Sequence, residues 1–182
     1  MKNFLYLFLV LLSSLVYGQK YPPAVVVKNT NDTVKAKIRI STNIFSPDKV
    51  TESSFYKVVR LVDDNHKKIE KINAKDIKEL TFIFNDQKRT YVNGGRKLKE
   101  VMYLGKIKWY RIFNQNPYDQ SMQYGDEFID EDGKSYSIGM FGARKATLLK
   151  AIKNNPELTQ EIKELKAATT EDLINILKKY EY

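Results

Sequence analysis

The chain alternates apolar and polar residues through most of its length, then changes period towards its C-terminus. Residues 33–40 set the first pattern: Val34, Ala36, Ile38 and Ile40 fall on one face, and Thr33, Lys35, Lys37 and Arg39 on the other. A period of two predicts a half-buried strand, paired here with residues 24–27 (AVVV) through the turn-forming stretch 28–32 (KNTND). Residues 41–54, with Pro47, read as a loop. Strands follow over 55–62 and 67–72 around the turn Asp63-Asp64-Asn65-His66, with their register left open. Residues 73–79 read as a turn or a single helical turn. Another hairpin over 80–84 and 89–92 ends at Gly94-Gly95.

Residues 97–113 (KLKEVMYLGKIKWYRIF) predict the next hairpin. With Gly105-Lys106 as a two-residue turn, glycine first as a type II′ turn prefers, Leu104 faces Ile107. Met102 then faces Trp109, Glu100 faces Arg111 and Leu98 faces Phe113. Six of these eight residues are large and apolar, and the other two are opposite charges, so Trp109 is expected in a core. Its lysine neighbours then point the other way. Asp132-Gly133 predicts a further tight turn pairing Glu131 with Lys134 and Ile129 with Tyr136. A calcium loop over residues 126–132 lacks the required ligand spacing.

Beyond residue 142 the period becomes helical. Leu148, Leu149 and Ile152 mark one helix. Asn155-Pro156-Glu157 supplies a cap, a first-turn proline and a first-turn acid for a second, carried by Leu158, Ile162 and Leu165. Thr169 starts a third, with Asp172 three positions on and Leu173, Ile176, Leu177 and Tyr180 along one face. The expected fold is α+β: an antiparallel sheet of hairpins, as a sandwich or partly open barrel, with about three C-terminal helices packed on it. The divisions are a signal peptide over 1–18, a β domain over 19–142, and a helical segment over 143–182 packed on the same domain.

The N-terminal pattern sets the compartment. Lys2 precedes an unbroken apolar run over residues 4–12, and Val16 and Gly18 suit cleavage before Gln19. The run is shorter than the ~20 residues of a membrane-spanning helix. The expectation is an exported protein, periplasmic or secreted, or peripherally associated with the outer membrane. No transmembrane segment is expected after cleavage. The remainder is long enough for one domain burying roughly 70% of its unfolded surface.

Composition prunes the chemistry. The chain has no cysteine and one histidine, His66, which removes thiolate nucleophiles and Cys/His metal sites, and no metal or cofactor is implied. His66 reads as a turn residue. Formal charge is +9, unevenly spread. Lys88, Arg89, Arg96, Lys97, Lys99, Lys106, Lys108 and Arg111 face a single acid, Glu100, within residues 88–111. Residues 119–132 hold Asp119, Asp126, Glu127, Asp130, Glu131 and Asp132 and no base. Such adjacent blocks predict neighbouring strands that partly neutralise each other.

Four short segments carry a family likeness. NDTVKAKI (residues 31–38), NAKDIK (73–78), the lysine–aromatic segment 97–110 and NNPEL (154–158) together resemble small exported Bacteroidetes-type proteins of unknown function. Their first strand carries a GDTI-like motif. Asn31 and Ala36 stand where that motif has glycines, and Asn155 where the last segment has a cysteine. The resemblance implies an envelope protein and no particular activity.

The binding candidates are Lys97, Lys99, Tyr103, Lys108 and Tyr110, a lysine–tyrosine face suited to lipopolysaccharide, an acidic glycan or an acidic envelope protein. The same lysines also suit a solvated face that discourages edge pairing. Nucleic acid is not expected as a partner, because export removes it. Glu100 with Arg111 is expected as a structural ion pair. Asp32-Thr33-Val34 resembles an O-glycosylation signal at Thr33. No catalytic residue is identified. The leading expectation is a non-catalytic envelope binding or scaffold domain, and the alternative is a carboxylate-dependent hydrolase acting on glycan or peptidoglycan.

Overall fold

One loop design recurs at three hairpins and sets their registers. At Lys28–Asp32, Asp63–Lys67 and Asp130–Lys134 the first residue's N–H donates to the carbonyl of the fifth, and the fourth residue's N–H donates to the carbonyl of the first. The fourth residue has positive φ each time: Asn31 at 67°, His66 at 63° and Gly133 at 79°. This is the three-residue hairpin loop that ends in a left-handed residue. Only glycine, or a residue such as Asn that tolerates that conformation, fits without strain. His66 is thus a turn residue, its ring stacked on Tyr21 with centroids 3.9 Å apart.

The computed structural model describes residues 18–43, 46–119, 121–138 and 144–182. The expected signal peptide, apart from Gly18, and the expected domain boundary at 142/143 lie outside these residues. The chain divides into two compact units, the first ending at Leu98 and the second spanning Lys99–Tyr182. Strands are antiparallel in every described pairing, neither sheet closes on itself, and helices follow the strands, giving the α+β class. No described helix is long and apolar enough to cross a membrane.

The first unit contains β1 (Gln19–Lys20), β2 (Pro23–Lys28), β3 (Thr33–Ile38), β4 (Ile40–Asn43), β5 (Ser46–Thr51), β6 (Val58–Val62), β7 (Lys68–Asn73), β8 (Ile77–Phe84) and β9 (Gln87–Asn93). Its larger sheet runs β9-β8-β2-β3-β6-β7, and β1-β4-β5 form a small second sheet. Residues 41–54, expected as a loop, therefore contain β5 and all of β4 but its first residue. Thr42 and Val50 pair across them and are both buried. Too few apolar residues alternate there for the period to be visible. Asn85 and Asp86, both at positive φ, form the two-residue turn between β8 and β9. Phe55, Phe82 and Tyr91 pack ring against ring, with centroids 5.0–5.6 Å apart, at the centre of this unit's core.

The second unit is built on β10 (Leu98–Tyr103), β11 (Lys108–Gln115), β12 (Met122–Ile129) and β13 (Ser135–Ser137). Three helices follow: α1 (Arg144–Ala151), α2 (Pro156–Glu164) and α3 (Thr170–Tyr180). Asn155 caps α2 by accepting from the Leu158 N–H at 2.9 Å, and Thr169 with Asp172 forms a capping box on α3. The helix stripes meet the sheet through Ile107, Trp109 and Phe128, in one cluster with Leu148, Leu158, Ile162, Leu173, Ile176 and Leu177. Trp109 stands opposite Phe128, stacked at 5.6 Å, and is fully buried.

Two expected registers are corrected. Glu100 does stand opposite Arg111, but a bulge at Met102 places Tyr103, not Met102, against Trp109. Gly105 does not have the positive φ of a type II′ turn. Instead the connection widens to residues 104–107, where the Lys106 N–H donates to the Glu181 carboxylate at 2.9 Å. A methyl group on Gly105 would collide with that carboxylate, so glycine serves close approach here. Leu104, expected inward, is 60% exposed. At the second hairpin Ile129 pairs with Ser135 and Phe128 with Tyr136, one residue from the expectation, because Gly133 closes a three-residue loop rather than a two-residue one.

Trp109→Ala removes the largest side chain of the second unit's core, and a loss of about 3–5 kcal/mol is expected. Chemical denaturation followed by far-UV circular dichroism reads this, and an unchanged midpoint contradicts the packing described.

Candidate functional site

The first unit gathers four cations around one cleft. Three separate segments form it: Lys57 and Val58 from the start of β6, Asn73, Ala74 and Lys75 from the end of β7 and the short 3-10 turn beyond it, and Arg96 and Lys97 after β9. Main-chain bonds join them, with the Ala74 N–H donating to the Lys57 carbonyl at 2.8 Å and the Leu98 N–H to that of Tyr56 at 2.7 Å. The Asn93 side-chain amide donates to the carbonyls of Ala74, Lys75 and Ile77, fixing the 3-10 turn. Gly95, at φ 90°, reverses the chain so that Arg96 and Lys97 follow directly.

The cleft has a volume of about 530 Å³, and no carboxylate is among its lining residues. Lys57 and Lys97 place their ammonium groups 5.3 and 5.7 Å from the ring centre of buried Tyr56. Cation–π attraction of this kind steers both stems towards one ring. Among the described residues, no ion pair engages Lys57, Lys75 or Arg96. The positive charges of Lys57, Lys75 and Arg96 around a shared concavity repel one another, and an anion there reduces that repulsion.

Of the five sequence-derived binding candidates, expected on one exposed face, only Lys108 is exposed. Lys97 belongs to the first unit, and Lys99, Tyr103, Lys108 and Tyr110 to the second. Tyr110 is only 9% exposed, with the Lys99 ammonium 4.1 Å from its ring centre. Lys99 in turn contacts Glu127 on β12 at 2.8 Å. Burial pushes the Tyr110 hydroxyl pKa up, with the Glu127 charge adding to it. Burial also raises Glu127, but hydrogen bonds from Lys99 and Ser135 outweigh it and hold the carboxyl below its ordinary range. The bulge turns Tyr103 onto the Trp109 face, packed against the helix cluster and 3.4 Å from Glu181. Lys108 alone of the four remains exposed. Thr33 sits exposed at the start of β3.

Glu100 and Arg111 lie within a larger buried network. Arg111 lies 3.9 Å from Glu100 and 4.0 Å from Asp126, which stands opposite it on β12. Asp126 is 3% exposed, accepts from the Trp109 indole N–H at 2.9 Å and is paired with Arg144 of α1 at 2.6 Å. The Arg144 guanidinium is 5.8 Å from the Trp109 ring centre and also donates to the Ala168 carbonyl. Asp126 accepts from an indole and a guanidinium, which makes it a structural acceptor, while Glu100 lies within ion-pair distance of Arg111. Among the described residues, no cluster of metal-ligating side chains occurs.

Lys57, Lys75 and Arg96 were not among the sequence-derived candidates. The one local signal was Gly94-Gly95-Arg96-Lys97, a flexible turn followed at once by two cations. The convergence of the other two depends on the β6–β7 register, Val58 opposite Asn73, which the sequence left open.

No family model, curated protein or solved structure matches this chain.

Replacing Asp126 by Asn leaves Arg144 and Arg111 without their shared counter-charge, and a loss of about 3–5 kcal/mol is expected. A double-mutant cycle with Arg144→Met measures the coupling, and additive losses contradict the pairing. Asp130 gives a pH test. A hydrogen bond from Lys153 is the main cause that lowers its pKa from 3.8 to about 2, helped by the Lys134 N–H and the Tyr136 hydroxyl. A depressed carboxyl contributes stability above its unfolded value and loses it as pH falls through the folded one. Asp130→Asn is therefore expected to be less stable than the parent at pH 7. The two urea midpoints are expected to converge as pH falls from about 4 towards 2, and a constant gap contradicts this assignment.

Proposed function

We propose that the protein is an exported, non-catalytic binding domain of the bacterial cell envelope whose first unit holds an anionic group of an acidic glycan or lipopolysaccharide. The observation that carries the reading is the cleft of Lys57, Lys75, Arg96 and Lys97, without a carboxylate among its lining residues. Its cations come from three chain segments held by main-chain bonds, so their positions are organised before any ligand arrives. Export is supported by the N-terminal charge, the apolar run and the small residues before Gln19. The likeness of residues 31–38, 73–78, 97–110 and 154–158 to exported Bacteroidetes-type proteins points the same way.

An acidic glycan presents sulfates, phosphates or carboxylates that several lysines and an arginine contact at once. Arginine adds a planar fork that matches two oxygens of such a group. The paired carboxylates required for glycoside hydrolysis are not assembled in this cleft. Binding, with no reaction, is the chemistry its lining supports.

Dextran sulfate, with neutral dextran as control, tests the reading by titration calorimetry on the full-length protein over a series of salt concentrations. Binding of dextran sulfate alone, weakening as salt rises, is expected. The triple variant Lys57→Gln/Arg96→Gln/Lys97→Gln is expected to bind roughly 100-fold more weakly, at about 1 kcal/mol for each lost charge contact. Lys108→Gln, on the second unit, is expected to bind as the parent does. Equal affinity in the triple variant, or affinity indifferent to salt, overturns the assignment.

A further inference from the structure

The run Ala24-Val25-Val26-Val27 places apolar side chains on both faces of β2, because successive strand residues point to opposite sides. Ala24 and Val26 are buried, at 6% and 0% exposure. Val25 and Val27 point the other way with exposed Pro23, and on β8 Ile83 is 57% exposed. The outer face of an antiparallel sheet ordinarily carries polar residues. Contiguous apolar surface in that position marks a binding surface.

This surface is concave. A groove of about 510 Å³ lies over β2, β3, β8 and β9, within the ~300–1,000 Å³ of small-molecule sites. Its lining carries three lysines and one acid, Asp64: Lys37 stands opposite Pro23, Lys35 opposite Val25, and Lys88 opposite Ile83. Lys37 is paired with exposed Asp64 at 3.0 Å. Among the described residues, no ion pair engages Lys35 or Lys88.

We infer that this groove binds a single-chain anionic amphiphile of the fatty-acid class, its alkyl chain over Pro23, Val25 and Ile83 and its carboxylate at the lysine rim. Charge complementarity selects an anion for the head. The backbone selects an alkyl chain for the body. β2 is paired on one side with β3 and on the other with β8, and β8 is also paired with β9. The N–H and C=O groups under the groove are therefore committed to the ladder, and a peptide lying there would leave its own backbone unsatisfied. An alkyl chain needs no such partners. The concavity also suits one chain rather than a bilayer surface.

The test is titration of the full-length protein with dodecanoate, decanoate and dodecyltrimethylammonium below their micellar concentrations, together with amide NMR shift mapping. Dodecanoate is expected to bind with shifts centred on Val25, Thr81 and Ile83. Decanoate is expected to bind roughly tenfold more weakly, each methylene being worth roughly fourfold. The cationic surfactant is expected to bind at least tenfold more weakly than dodecanoate. Ile83→Asp, and separately Lys35→Gln/Lys88→Gln, are expected to weaken dodecanoate at least tenfold with an unchanged circular dichroism spectrum. The lysine pair, fully at the surface, reads the same site if Ile83→Asp fails to fold. Affinity independent of chain length, equal binding of the cation, shifts away from these strands, or an acidic apolar peptide occupying the groove where dodecanoate does not, each overturns the inference.

Discussion

A single buried carboxylate fixes how the second unit's helices meet its sheet. Asp126 has almost no solvent contact, and a charge in that position costs several kcal/mol unless its lone pairs are filled. The Trp109 indole fills one position from β11, and the Arg144 guanidinium fills another from α1. Arg144 also lies near the Trp109 ring and donates to the Ala168 carbonyl just ahead of α3. Strand, helix and inter-helix connection are tied through these groups. The apolar cluster supplies burial in bulk and tolerates small shifts. Hydrogen bonds to a buried charge do not, so Asp126 confers geometric specificity that the cluster alone lacks.

The same network marks the limit of what alternation could reveal. Glu100 facing Arg111 was legible because both lie within one short hairpin whose apolar residues agree on a register. Asp126 and Arg144 were not, since the connection between β11 and β12 carries no periodic signal. Element types were legible over most of the chain: the strand period at 33–38, the 3.6 period at 173–180, and the caps at Asn155 and Thr169. Exact pairing was lost at the Asp130–Lys134 loop, which ends in a left-handed residue. Asp132-Gly133 suggested a two-residue turn, yet the same dipeptide serves the three-residue loop when glycine takes its last position. A shift of one residue changes which side chains share a face. At Met102 a bulge did the same to Tyr103.

Charge distribution followed a comparable logic. The acidic stretch after β11 pairs alongside the basic one, so Lys99 meets Glu127 and Arg111 meets Asp126. The basic stretch of the second unit is thereby partly neutralised within that unit. The first unit is different, because its cleft cations come from segments with no adjacent acidic strand. A running count of charges shows the basic excess of residues 1–98, eighteen bases against nine acids where residues 99–182 hold thirteen of each, but not the convergence of the cleft cations. That convergence rests on the β6–β7 pairing and on the Gly94-Gly95 turn, one non-local and one local.

The apolar groove of the first unit is not required by the way its sheet is filled. Phe55, Phe82 and Tyr91 occupy the inner side, and large rings there leave β2 needing only small inward residues, Ala24 and Val26. A strand with small inward residues and polar outward ones would pack equally well inside. Nothing in the core therefore demands Val25 and Val27 on the outside. Sheet propensity alone favours β-branched residues there by a fraction of ~1 kcal/mol, and threonine would serve that preference with better solubility. The choice of valine at two outward positions, beside an exposed isoleucine and between lysine-bearing strands, is a pattern that folding does not require. Residues in excess of what the fold requires are those most informative about binding.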